Sequence, residues 1–228
     1  MNWANLFVWD GEGGNSPAVV EGVYERTIQL LRAFRMRQAT LAVRAEVLDR
    51  INEREKAHLL RDLRDLGVLH QVEFAAVQSE DLSPASLREG LREELGLLRA
   101  QLGPDVILRG VYAPLESDPF DLVDTYRQLG IRWVVLDPDK VLGPYVDLLD
   151  DTIYELSVPG TVYAYFPDAD ASGLLREAQG PTSRQFKEHF PTKLDRKCYL
   201  VTVLRESDLL SAPKEAWDLL EDLYADPS

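Results

Sequence analysis

Asp118-Pro-Phe-Asp-Leu-Val-Asp-Thr-Tyr-Arg-Gln-Leu-Gly-Ile-Arg-Trp-Val-Val-Leu-Asp137 contains one complete step from helix to strand. Asp118 offers a capping oxygen, and Pro119 has no N–H to leave unsatisfied at the first helical position. Gly130 follows Leu129 where a helix closes in a left-handed turn. The run 132–136 is β-branched and aromatic, as a buried strand requires, and it finishes on an acid, Asp137.

The same grammar extends in both directions. Ser16-Pro17 and Ser83-Pro84 open helices in the same way, and Leu66-Gly67 and Leu102-Gly103 close them. Leu87, Leu91, Leu95, Leu98 and Leu102 recur at helical spacing and form one stripe that packs on a sheet. Strands are predicted at 4–9, 38–43, 68–74, 106–112, 132–136, 153–157, 160–166 and 198–203. Strands alternating with helices over almost the whole chain define an α/β protein built on a parallel sheet. A chain of 228 residues with 45% hydrophobic content suits a β/α barrel folded as a single domain over 1–228. The stretch 166–197, with Gly173, Gly180, Pro181 and Pro191, is the least regular.

Composition narrows the partners. Asp and Glu number 39 against 25 Lys and Arg, a formal charge of −14 that repels nucleic acid and anionic membrane and leaves a basic protein as the charged partner to expect. Cys198 is the only cysteine, so neither an intramolecular disulfide nor a thiolate zinc cluster is expected. No apolar run reaches the roughly 18 residues of a membrane span, and Met1-Asn-Trp-Ala-Asn carries no export signal, so a cytoplasmic location is expected. Asp10-Gly-Glu-Gly-Gly14 resembles a phosphate cradle but lacks the Gly-Lys-Ser/Thr ending and holds two acids, so no nucleotide cofactor is expected.

Several segments together resemble the polysaccharide deacetylase family. They are Leu6-Phe-Val-Trp-Asp10, Ala39-Thr-Leu-Ala-Val43, Leu63-Arg-Asp-Leu-Gly-Val-Leu-His70, Ile107-Leu-Arg-Gly-Val-Tyr112, Val158-Pro-Gly-Thr-Val162 and Cys198-Tyr-Leu-Val-Thr-Val203. The resemblance implies an irregular seven- or eight-unit (β/α) barrel and a carbohydrate-facing cleft. It also implies that Asp10 is the family's catalytic base, that Arg109 pairs with it, and that Asp137 and Asp139 stand near the fourth motif. The family's metal ligands correspond to Gly11, Ala75 and Ser79, and its general-acid histidine to Phe166 in Ala164-Tyr-Phe166. None of these side chains replaces an imidazole or carboxylate, so the resemblance implies a protein without the family's zinc, non-catalytic or altered in chemistry.

In a barrel the C-terminal strand ends converge on one cleft. Asp10, Glu12, Glu73, Asp137 and Asp139 are expected there, with Asp10, Arg109 and Asp137 as catalytic candidates and Glu12, Glu73, Asp139, Tyr112 and Phe166 as substrate-binding ones. Two carboxylates at glycosidase separation would hydrolyse a glycoside without metal, and the same acids suit a hard cation. The simpler alternative is an Asp10–Arg109 strut beside solvated acids, and an acidic surface for a basic protein partner is a further one. His58 reads as a surface residue, His70 as the start of a strand, and His189 as part of the irregular stretch.

Overall fold

Phe7 and Trp9 point to one side of the first strand, and Leu6 and Val8 to the other, and all four are buried. A strand buried on both faces belongs to the middle of a layered α/β structure. In the computed structural model this strand, β1 (Trp3–Trp9), has β2 (Ala39–Val43) on one side and β8 (Leu200–Arg205) on the other, both parallel to it. The structure describes residues 3–12, 16–53, 56–78, 84–114, 119–137, 153–156, 162–177 and 200–226.

From β2 the sheet continues through β3 (Val72–Val77), β4 (Leu108–Ala113), β5 (Trp133–Leu136) and β7 (Tyr163–Tyr165), all parallel, to the short antiparallel β6 (Tyr154–Glu155). The free edge of β8 is covered by the segment that follows β7. Asp168 N–H donates to the Val201 carbonyl at 2.8 Å, and Val203 N–H donates to Ser172 Oγ at 3.1 Å. Ser172 belongs to α7 (Ala169–Glu177), so the curl of the sheet is completed by a helix end in place of a strand. The result is an irregular (β/α) barrel with seven parallel strands among the described residues.

Helices cover the outside. Pro17–Val19 (α1) runs through a π-helical turn, Val20–Glu25, into α2 (Arg26–Ala33), and α3 (Ala45–Glu53), α4 (Ala57–Val68), α5 (Pro84–Leu102) and α6 (Pro119–Gln128) follow. After β8 come α8 (Glu206–Ser211) and α9 (Lys214–Ala225). The outer core joins Phe7, Trp9, Leu41, Phe74 and Val134 to these helices and includes the whole leucine stripe of α5. A second cluster, with Leu6, Val8, Ala42, Ala75, Val77, Tyr112, Val135 and Val203, faces the lumen.

Helices begin at Pro17, Pro84 and Pro119, and the chain turns with positive φ at Gly103 and Gly130, as the sequence predicts. Gly67 behaves differently. It lies inside α4, where a Cβ would come within 2.6 Å of Val106 and 2.8 Å of Phe74, so its small size serves helix-on-sheet packing. The left-handed residue is His70, φ 55°, and β3 therefore occupies 72–77 and not 68–74. Ala75 is buried in the lumen and His58 is exposed on α4, while Ser79, Asp139, His189 and Cys198 lie outside the described residues. No described helix is long and apolar enough to cross a membrane.

Candidate functional site

The C-terminal strand ends bring four groups together: Asp10 after β1, Tyr112 in β4, Asp137 after β5 and Arg205 at the end of β8. Tyr112 Oη accepts from Arg205 Nε at 3.1 Å and from Nη2 at 2.9 Å. Burial lifts the Tyr112 phenol above its ordinary range; Arg205 opposes the rise, and the charges of Asp137 and Asp10 add to it. Burial also works against the charge of Arg205, but Tyr112, Asp10 and Asp208 outweigh it and leave the guanidinium pKa raised.

Asp10 is only 7% exposed, and its Oδ1 accepts from the Glu12 backbone N–H at 3.1 Å. The turn beneath it is held from two sides. Gly11, at φ 81°, donates its N–H to Glu206 Oε2 at 3.3 Å, and its carbonyl accepts from Arg50 Nη1 at 3.3 Å. A Cβ at Gly11 would stand 3.0 Å from Arg50 and 3.1 Å from Glu46, so both the conformation and the space favour glycine. Glu206 is completely buried and also accepts from the Tyr24 hydroxyl at 2.7 Å. Tyr24 sits on the π-helical turn and packs at 4.5 Å from Trp9, which ties the entrance of the first helix to the strand ends. Asp208 Oδ2 accepts from the Arg205 N–H at 3.0 Å, and its other oxygen lies 3.6 Å from Arg176, so Arg205 is also fixed at its backbone.

Several expected members are elsewhere. Arg109 is exposed near the start of β4, at the opposite end of the barrel, and the guanidinium beside Asp10 is that of Arg205. Glu73 stands at the beginning of β3, where it accepts from Trp133 Nε1 at 2.8 Å; the displacement of that strand from 68–74 to 72–77 moves it from the mouth to the other end. Phe166 is buried in the outer core with Tyr154 edge-on at 5.4 Å, and so does not face the cleft. Glu12 is exposed and reaches the site through its backbone. Asp10, Tyr112 and Asp137 are the expected residues that the structure brings together. Arg205, Glu206 and Tyr24 were missed, although Val203-Leu-Arg-Glu206, an apolar strand running straight into two opposite charges, carried a signal.

No protein-family model matches the chain, and no curated protein matches it. Solved structures do. The 4-α-glucanotransferase of Thermococcus litoralis superposes with a TM-score of 0.71 at 16% identity, over 98% of this chain and 36% of that one. The GH57-type branching enzyme of Pyrococcus horikoshii gives 0.65 at 9% identity, over 98% and 67%. The GH57 branching enzyme of Thermococcus kodakaraensis gives 0.63 at 10%, over 98% and 68%. At such identities the likeness is one of fold, and the chain spans about a third of the glucanotransferase. These neighbours overturn the resemblance to polysaccharide deacetylases. An apolar first strand ending in acid and regular αβ steps are general to β/α barrels, so the quoted segments reported the architecture and not the family. With that resemblance goes the ground for treating Gly11, Ala75 and Ser79 as lost zinc ligands.

Proposed function

We propose that the chain is the barrel of a carbohydrate-active protein that cleaves or transfers a glycosidic bond at the C-terminal mouth, with Asp10 and Asp137 as the carboxylate pair. The observation that carries this reading is the placement at one end of the barrel of Asp10, directly after β1, and Asp137, directly after β5, with the hydrogen-bonded Tyr112–Arg205 pair of β4 and β8. The fold shared with a glucanotransferase and two branching enzymes supports a glycan as substrate.

Glycoside cleavage passes through an oxocarbenium-like transition state and needs one acid to protonate the leaving oxygen and one carboxylate on the other face of the ring. Asp10, buried and facing the charge of Arg205, is assigned the carboxylate role. Asp137, at the half-buried end of β5, is assigned the acid role. The Tyr112 oxygen already accepts twice from Arg205, so its own proton is left to donate to a sugar oxygen.

The test is to incubate the chain with maltoheptaose and follow new reducing ends and chain-length redistribution by mass spectrometry. Asp10→Asn and Asp137→Asn are each expected to lower turnover about a hundredfold or more with little change in melting temperature. Absence of turnover in the parent chain, or turnover that both variants keep, would sink the assignment.

A further inference from the structure

The lumen does not end at the plug of Val8, Ala42, Val77 and Tyr112. Below it, toward the N-terminal strand ends, lies a chamber of about 250 Å³ lined by Thr40, Glu73, Trp133, Val135, Tyr165 and Val201. The small Ala4 lines it, and Gly110 on β4 pairs with Trp133 of β5. A Cβ on Gly110 would lie 2.0–2.3 Å from the six-membered ring of Trp133, so the indole occupies the room a side chain would take there. One indole face is therefore set against β4, which leaves the other toward the lumen. Its Nε1 donates to Glu73 Oε1 at 2.8 Å, which fixes the ring's rotation.

Glu73 has no other polar partner among the described residues, so its second oxygen remains an acceptor beside the chamber. Thr40 adds a hydroxyl with no side-chain partner among the described residues. A second cavity of about 260 Å³ shares Ala4, Asn5, Thr40 and Glu73 with the first and extends outward past Gln38 and His70. The chamber thus has a way out at the end of the barrel opposite Asp10.

We infer that this chamber is a second saccharide site, separate from the mouth, that takes one neutral hexose ring. An immobilised indole is a platform for the apolar face of a pyranose, and a carboxylate and a hydroxyl at its edge accept and share the hydrogen bonds of ring hydroxyls. An organic cation would also meet a ring face and a carboxylate. It is disfavoured because exposed Arg109 and Arg132 flank Gly110 and Trp133, joined by the Arg132 N–H to Arg109 carbonyl bond of 2.7 Å, and their charges oppose it. The inference requires no catalysis and does not rest on the role assigned to Asp10 and Asp137.

Titration of the chain with glucose, galactose and mannose, and separately with tetramethylammonium, followed by ligand-observed NMR, tests it. At least one hexose is expected to bind saturably with a dissociation constant of about 1 mM, the scale of a single small ligand. Glu73→Gln keeps an oxygen for Trp133 but replaces the free acceptor with a donor, and is expected to weaken binding about tenfold. Thr40→Val, which preserves volume, is expected to weaken it about threefold, and guards against a folding defect in the first variant. Asp137→Asn leaves this binding in place, so failure here and failure at the mouth are told apart. Saturation by tetramethylammonium alone, no saturation by any hexose, or hexose binding indifferent to both chamber variants in chains of unchanged melting temperature would each overturn the inference.

Discussion

At the C-terminal end of the barrel Asp10 and Asp137 follow β1 and β5 and Arg205 closes β8, whereas at the N-terminal end Ala4, Thr40, Glu73 and Trp133 stand at or next to the starts of β1, β2, β3 and β5. Between the two lies an apolar layer that includes Val8, Val77 and Val203. The mouth is rigid because charged groups are bonded to backbone: Glu206 to Gly11, Arg50 to Gly11, Asp208 to Arg205. The lower end is rigid because a large ring replaces a missing side chain at Gly110. Position along a strand, and not residue type, decides what a given acid can do. Glu73 and Asp137 belong to one sheet, yet one anchors an indole at the start of β3 and the other stands at the mouth directly after β5.

The comparison breaks most severely at Gly110. In Gly110→Val the new side chain enters the space of the Trp133 ring, so the indole or β4 must move, at a cost of about 3 kcal/mol. Chemical denaturation should record that loss, and the chamber should lose its sugar affinity while turnover at the mouth survives. A variant as stable as the parent would show that Trp133 is not held where its platform role requires.

The corresponding break at the mouth is Glu206→Ala. It leaves the Gly11 N–H and the Tyr24 hydroxyl without their buried acceptor, and is expected to cost about 2 kcal/mol. Because Gly11 follows Asp10 directly, turnover is expected to fall as well, while hexose binding in the chamber stays within twofold of the parent. Equal damage at both ends would mean that the apolar layer does not insulate them.

Much of this plan was legible in the sequence. Apolar runs and Ser/Asp-Pro starts located the described parallel strands to within a few residues, because parallel strands buried on both faces must be continuously apolar. What failed was register at the ends. Leu66-Gly67 read as a helix stop, but Gly67 is small for the sake of Val106 and Phe74; the helix ends at Val68 and the left-handed turn falls on His70. That single misreading carried Glu73 to the wrong end of the barrel. Arg205 was invisible for another reason. Tyr112 and Asp10 are far away in sequence; the pairing of β8 with β1 sets Arg205 near Asp10, and the curl of the sheet brings Tyr112 of β4 to it. Family motifs pointed to Arg109 instead, which has the right chemistry at the wrong strand end.

Buried tyrosines sharpen the contrast through pH. Burial raises the pKa of Tyr126, which donates to Gln78 beside the mouth, and of Tyr224, beneath the lower end. Tyr24 is raised by burial and then by its bond to Glu206. A phenol whose folded pKa lies above its unfolded value contributes stability that is whole below the unfolded pKa of about 10 and is lost as pH rises beyond it. Stability should therefore be insensitive to these groups near neutrality and fall above about pH 10, each tyrosine adding a slope of about 1.4 kcal/mol per pH unit. Tyr126→Phe should remove one such increment in denaturation curves taken at successive alkaline pH values. An unchanged slope would show that Tyr126 ionises as readily in the folded chain as outside it.

The smallest effect separates the two arginines. Arg109 is exposed and belongs to neither the Asp10 turn nor the Tyr112 contact, so Arg109→Ala is expected to shift the melting temperature by no more than about 2 °C and to leave turnover unchanged. Arg205→Ala removes two donors from a buried hydroxyl and the positive charge facing Asp10, so it should depress turnover and melting temperature together. Measured side by side, the pair tests whether the guanidinium serving Asp10 comes from the last strand or from the fourth. If Arg109→Ala were the damaging change, the C-terminal mouth would not be the working end of the barrel, because no exposed arginine at the other end could act on Asp10 through the apolar layer between them.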